Sequence, residues 1–345
     1  MKKFIIKSSL FILPFFVIYT FNTISYKTNK ADLIRLGYFY FNPSPNKLVS
    51  NKFIINKYYT NVSEINLNTR TRFDVMTIGD SFSEQGSLGY KNFLAKEKTT
   101  VLHMDRFLSG NNPIQKLIEL INSDFFDYIK IDYLILQNVE RQFVNRCQKI
   151  DYFKSIERDS LLENISNYKK NNSKESLSFF SKSTLNTPLV NIQYLFSDKP
   201  NDSKTYKVLT NTNSLFSAAP KDLLFYQNDI NNMKDKNNLS KIKISNDVMN
   251  NLYDLLSKKN IQLVVLISPD KYDLYYSFIK NKNNFPKPEF FNHFNTLDKN
   301  YNYVNAYGAL SKELKKTKDI YYYGDTHWAP VGAKIIADKI KIIIK

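Results

Sequence analysis

Four apolar runs, each stopped by a turn, set the architecture this chain can adopt. Phe73 to Ile78 ends at Gly79 in "RFDVMTIGDSFSEQG", and "TTVLHM" (99–104), "IDYLILQN" (131–138) and "IQLVVLISPD" (261–270) repeat the pattern. Short apolar runs bounded by turns read as strands buried on both faces. Between them, "LGYKNFLAKE" (88–97) and "NPIQKLIELI" (112–121) have helical spacing, the second with Pro113 at its first turn. "DVMNNLYDLLSKKN" (247–260) is a further helix, and "YNYVNA" (301–306) and "DIYYYG" (319–324) are weaker strands. "PVGAKIIADKIKIII" closes the chain as a helix with Val331, Ile336, Ile340 and Ile343 on one face. Strands alternating with helices predict an α/β fold, a parallel sheet flanked by helices. Sites in such sheets gather at the carboxyl ends of the strands.

The rest of the chain divides around that pattern. Residues 1–26 read as a signal anchor: Lys2, Lys3 and Lys7 precede an apolar stretch from Leu10 to Phe21 broken by Pro14 and Thr20. Ser8 to Ile24 reaches the lower end of the ~17–25 residues that span a bilayer. No small-residue cleavage site follows, which favours an uncleaved signal anchor over a cleaved signal peptide. The basic start keeps the N-terminus in the cytoplasm, and the remainder is then extracytoplasmic, in a periplasm or on the outer face of the membrane. Residues 27–70 read as a stalk and lead-in, and 71–345 as the folded domain. Residues 145–244, rich in Lys, Asn, Ser and Asp, interrupt the alternation as an insertion.

Charge decides less than its size suggests. The 49 Lys and Arg outnumber the 32 Asp and Glu, for a net charge of +17. No dense basic run or aromatic nucleic-acid motif accompanies it, so no nucleic-acid partner is expected. Cys147 is the only cysteine, which excludes an internal disulfide. His103 and His293 have no carboxylate or cysteine at metal spacing, so no metal and no cofactor are expected.

The chemistry sits at two strand–helix junctions. Ser81 in "IGDSFS" lies in the turn after the first run, where its hydroxyl is exposed and its N–H can face an oxyanion. A serine hydroxyl attacks only when a base takes its proton, and His327 in "GDTHW" is the candidate base. Asp325, two residues earlier, can fix the imidazole tautomer. Both segments follow strand runs, so the two can meet on one sheet edge.

This pairing resembles the SGNH hydrolase superfamily, with its nucleophile in a Gly-Asp-Ser turn and its Asp and His before the last helix. D-x-H-W followed by Gly-Ala is similar to the AlgX/AlgJ-type polysaccharide O-acetyltransferases, although there the motif precedes the serine. The resemblance covers residues 71–141 and 261–345, and implies a three-layer, flavodoxin-like sheet. It also implies an oxyanion hole from the N–H groups of Ser81 and Gly110 and the side chain of Asn138. Arg141, in an E-R pair with Glu140, is a replacement donor because the usual G-x-N-D is missing. Lys271 is a candidate for substrate binding, or else a solvated loop lysine. Trp328 is a candidate sugar platform, or else core. The implied activity is acetyl transfer to a polysaccharide, with a membrane-bound O-acyltransferase delivering the acetyl group. The alternatives are a carbohydrate esterase with the same triad, and a non-catalytic glycan-binding or assembly protein.

Overall fold

The computed structural model describes residues 1–28, 31–40, 44–53, 55–170, 182–219 and 221–344. Its strands are β1 (Thr60–Asn61), β2 (Thr71–Ile78), β3 (Val101–Met104), β4 (Ile129–Val139), β5 (Thr205–Leu209), β6 (Asp222–Tyr226), β7 (Gln262–Ser268) and β8 (Asn302–Val304). Six of them form one sheet in the order β1-β3-β2-β4-β7-β8, and every pairing in it is parallel. β5 and β6 form a separate antiparallel pair. The helices used below are α1 (Lys2–Thr28), α2 (Asp32–Leu36), α3 (Glu140–Cys147), α4 (Lys182–Gln193), α5 (Leu239–Ser257) and α6 (Pro330–Ile343).

The period of two along each strand divides the core into two layers. Val75, Ile135, Val264 and Leu266 face a layer that includes Tyr90, Phe93, Ile336 and Ile340. Met76, Leu134, Leu136, Val265 and Ile267 face the opposite layer, with Ile114, Leu117, Met249 and Leu252. Each such side chain contributes about 1.5–3 kcal/mol on burial, which is why the central strands read as unbroken apolar runs. The expected α/β sheet flanked by helices is the fold observed.

Three expectations need correction. "DIYYYG" does not join the sheet: Tyr321 makes only an isolated bridge to Trp328. Its backbone is committed locally, with Tyr322 N–H donating to His327 O at 3.1 Å and Ala329 N–H to Ile320 O at 2.8 Å. The lead-in is not a free stalk. Leu33 and Ile34 are fully buried and β1 extends the sheet. The interval 145–244 is not peripheral throughout, because Leu215, Phe216, Leu223, Leu224 and Phe225 are part of the core. Residues 29–30, 41–43 and 54 of the lead-in, and 171–181 and 220 of the interval, lie outside the described residues.

Among the described residues, one helix, over Lys2–Thr20, is long and apolar enough to cross a membrane.

Candidate active site

The turn after β2 is built around a close approach. A Cβ on Gly79 would lie 2.4 Å from Ser83 Oγ and 2.5 Å from Gln137 Oε1, so only glycine lets the chain turn against β4. Asp80 follows, and its N–H donates to Gln137 Oε1 at 3.0 Å. Its carboxylate accepts from Phe82 N–H (3.2 Å), Val139 N–H (2.7 Å) and Arg146 Nη1 (2.8 Å). Burial alone would raise the Asp80 carboxyl, but Arg146 and these N–H donors outweigh it and hold it below the usual range. A buried ion pair of this kind serves position more than stability. It ties the serine turn to the end of β4.

Ser81 then opens a short 3-10 turn, Ser81–Ser83. Its Oγ lies 2.8 Å from His327 Nε2. His327 Nδ1 lies 2.6 Å from Asp325 Oδ1. The three residues, 246 positions apart at the extremes, therefore form a continuous hydrogen-bonded line. Burial opposes protonation of His327, but the touching Asp325 and the nearby Asp32 outweigh it and raise its affinity for a proton. Asp325 is pushed up by burial and down by His327 and two N–H donors, with a net lowering. The pair is thus arranged to hold an imidazolium, the state a general base passes through.

Asp325 is itself held by residues the sequence did not single out. Asp32 N–H and Asn46 Nδ2 each donate to its Oδ2 at 3.3 Å. Leu33 and Ile34 N–H groups donate to Gly324 O. No sequence signal marks Asp32 or Asn46, because backbone and amide contacts of this kind carry no motif. Phe82 backs the imidazole, with ring centroids 4.7 Å apart, and Trp328 packs in turn on Phe82.

The other expected residues fall differently. Lys271 is neither solvated nor turned to substrate; it is fully buried. Its Nζ donates to the carbonyls of Tyr322 (2.7 Å), Tyr323 (2.6 Å) and Asp325 (3.2 Å), shaping the loop that carries the histidine. Burial pushes its ammonium down to about 7, against the charges of Asp325, Asp229 and Asp319, which act to raise it. Trp328 is also fully buried, edge-on to Phe82 at 4.8 Å, so it packs behind the site and cannot stack on a sugar. Gly110 N–H donates to Arg106 O at 2.8 Å as a helix cap, which leaves it unable to serve an oxyanion. Asn138 is buried at the end of β4 with Oδ1 accepting from Arg146 at 2.9 Å, and its Nδ2 has no partner among the described residues. The Ser81 N–H likewise has no acceptor there. Arg141 is mostly buried and pairs with Asp270 at 2.9 Å and Asp229 at 3.5 Å.

His103 is buried between Thr77 and Glu84, at 2.8 and 3.0 Å, while His293 is part-exposed beside Glu289. Among the described residues, two groups bring possible metal ligands together: Asp32 with Asp325 and His327, and Glu140 with Asp270 and Asp273. The first is the histidine's own hydrogen-bonded partnership. In the second, Lys236 Nζ already sits among the carboxylates.

A parallel sheet with this line of residues across its carboxyl edge has SGNH hydrolase-like architecture. Residues 218–345 match the family model described as SGNH hydrolase-like domain, acetyltransferase AlgX. The match contains Asp325 and His327, begins inside the interval read as an insertion, and leaves Ser81 outside. The AlgX-type resemblance drawn from "DTHW" holds for that part of the chain. No curated protein and no solved structure gave a significant match.

Proposed function

We propose that this protein is a membrane-anchored, extracytoplasmic O-acetyltransferase that esterifies hydroxyls of a cell-surface or secreted polysaccharide. The observation that carries the reading is the line from Ser81 Oγ through His327 to Asp325. Ser81 Oγ attacks the acetyl carbonyl while His327 Nε2 takes its proton. That proton passes to the departing oxygen, leaving acetyl-Ser81. A glycan hydroxyl then attacks, His327 takes its proton, and Ser81 is regenerated with it. The Ser81 N–H and Asn138 Nδ2 are the oxyanion donors in this scheme, with the positive field of Arg141 alongside. α1 is the anchor, residues 71–345 carry the catalytic domain, and a membrane-bound O-acyltransferase is the acetyl source.

The test is acetyl transfer from a soluble aryl acetate to oligosaccharides, followed by mass spectrometry of the glycan. Acceptor-dependent aryl release with formation of O-acetyl glycan is expected. Equal release with and without acceptor, and no acetylated glycan, would leave an esterase instead.

A pH profile probes the base. Free imidazole is the active form, so activity falls as pH drops through the His327 value, which lies above the ordinary one. Asp325→Asn removes the main cause of that rise. The acid limb of kcat/KM should then move to lower pH, with kcat reduced at every pH. An unmoved limb would assign it to another group.

A further inference from the structure

We infer that α4 is a second membrane contact, lying in the headgroup region and holding the Ser81–His327 edge against the bilayer; this rests on the reading of α1 as an anchor. α4 and the turn after it are amphipathic in an unusual sense. Thr187 and Val190 are buried in the domain, and Tyr194 is tied to it by its hydroxyl on Ser203 and Thr205. The outward stripe is not polar: Leu189, Ile192, Leu195 and Phe196 are 60%, 57%, 77% and 85% exposed. Leu189 and Ile192 are one turn apart on α4, and Leu195 and Phe196 stand in the turn that follows Gln193, its N–H groups bonded back to Ile192 O and Gln193 O. A contiguous patch of large apolar side chains on a folded domain marks a contact surface.

The choice of bilayer as occupant follows from continuity with α1. From Phe4 to Ile18, α1 exposes its large apolar side chains, whereas Tyr19 and Thr20 are partly covered. The folded body thus meets α1 where the apolar stretch ends, and α4 is among the elements packed on α1. An interfacial helix sinks its apolar face about 5–10 Å into the headgroup–acyl boundary.

Hydrogen bonds link α4 to the reacting edge. Asn191 Nδ2 donates to Tyr38 O at 2.6 Å, joining α4 to the segment that follows α2. Lys204 N–H donates to Leu36 O, and Asp32 N–H to Asp325. Eight helical residues from Thr20 to Thr28 and four more to Asp32 span at most roughly 26 Å. The triad aspartate is therefore tethered close to the membrane, within reach of a donor in the bilayer plane.

The experiment uses the full chain in liposomes containing anionic lipid, with Phe196→Cys carrying an environment-sensitive fluorophore. Cys147 is buried and remains unlabelled. Phe153→Cys is the control, because Phe153 is 95% exposed and follows Tyr152, whose carbonyl binds Asn122 beyond the far end of helix Pro113–Ile121. The expected result is a blue shift at position 196, several-fold stronger quenching by lipids brominated near the headgroup, and protection from aqueous iodide. Position 153 should stay aqueous. Aqueous behaviour at 196 in protein that resists alkaline extraction overturns the inference while leaving the anchor intact. Release by alkaline extraction overturns the anchor itself. Equal shielding at 153 and 196, or shielding at 196 only when an acyltransferase is co-reconstituted, also overturns a lipid contact, the latter in favour of a protein partner.

Discussion

Ser81→Ala and His327→Ala should each lower turnover of an acetyl ester by roughly 10⁴- to 10⁶-fold, and the double variant should fall little further. The reason is that Ser81 Oγ and His327 Nε2 share one proton path at 2.8 Å, so loss of either end stops the same step. Intact-protein mass spectrometry adds a direct readout: an acetyl adduct should form on the native chain and be missing from Ser81→Ala. Folding should be unaffected, because Ser81 is only half-buried and its hydroxyl bonds His327 alone. Ser83 is the instructive contrast. Its Oγ is buried between Tyr90 Oη and Gln137 Oε1, both at 3.0 Å, so Ser83→Ala should lower stability and leave most of the chemistry. Full activity in Ser81→Ala with loss in Ser83→Ala would move the nucleophile by two residues.

What the sequence disclosed follows from which interactions leave a local pattern. The central strands β2, β4 and β7 are buried on both faces, which forces unbroken apolar runs that anyone can find. Ser81 stands in a short motif at the end of β2, whereas Asp325 and His327 stand in a motif just before α6 that follows a segment outside the sheet, so parallel topology accounts for the serine's place and only the motif for the histidine's. Lys271 misled because a lysine in a polar-looking loop is normally solvated. Its burial depends on the carbonyls of Tyr322, Tyr323 and Asp325 converging on it, and carbonyls are invisible in a sequence. Trp328 and Gly110 misled for a related reason: one is committed to aromatic packing and the other to a helix cap. Asp32 was hidden differently, since it supports Asp325 from 293 positions away through its backbone N–H.

Lys236→Met should cost about 3–5 kcal/mol of stability, because it removes the internal cation from a buried acidic cluster. Lys236 Nζ lies 2.8 Å from Asp273, 3.0 Å from Asp270 and 3.3 Å from Glu140, and Arg141 bridges Asp270 to Asp229. Four carboxylates against two cations would leave two excess negative charges in the interior if all were ionised. Burial, with the neighbouring acids adding to it, raises Glu140 well above the ordinary value and Asp229 to about 8. Asp229 therefore holds its proton at neutral pH, and Glu140 and Asp273 are shifted in the same direction, which brings the cluster towards neutrality. Asp229 Oδ2, which has no partner among the described residues, is free to carry one. Because these folded-state values lie above the unfolded ones, the folded chain binds more protons than the unfolded chain between them. The resulting stabilisation is complete below the unfolded carboxyl value and is lost as pH rises through about 8 for Asp229. Chemical denaturation across that window should show wild-type stability declining relative to Asp229→Asn, by up to about 1.4 kcal/mol per pH unit. Adding Asp273→Asn to Lys236→Met should recover part of the loss by removing one uncompensated acid. If the single Lys236→Met variant melts like the wild type and the pH slopes of wild type and Asp229→Asn coincide, the cluster is not charged in this way. Arg141 would then owe its position to packing on Tyr226, 5.6 Å beneath its guanidinium, and not to the acids around it.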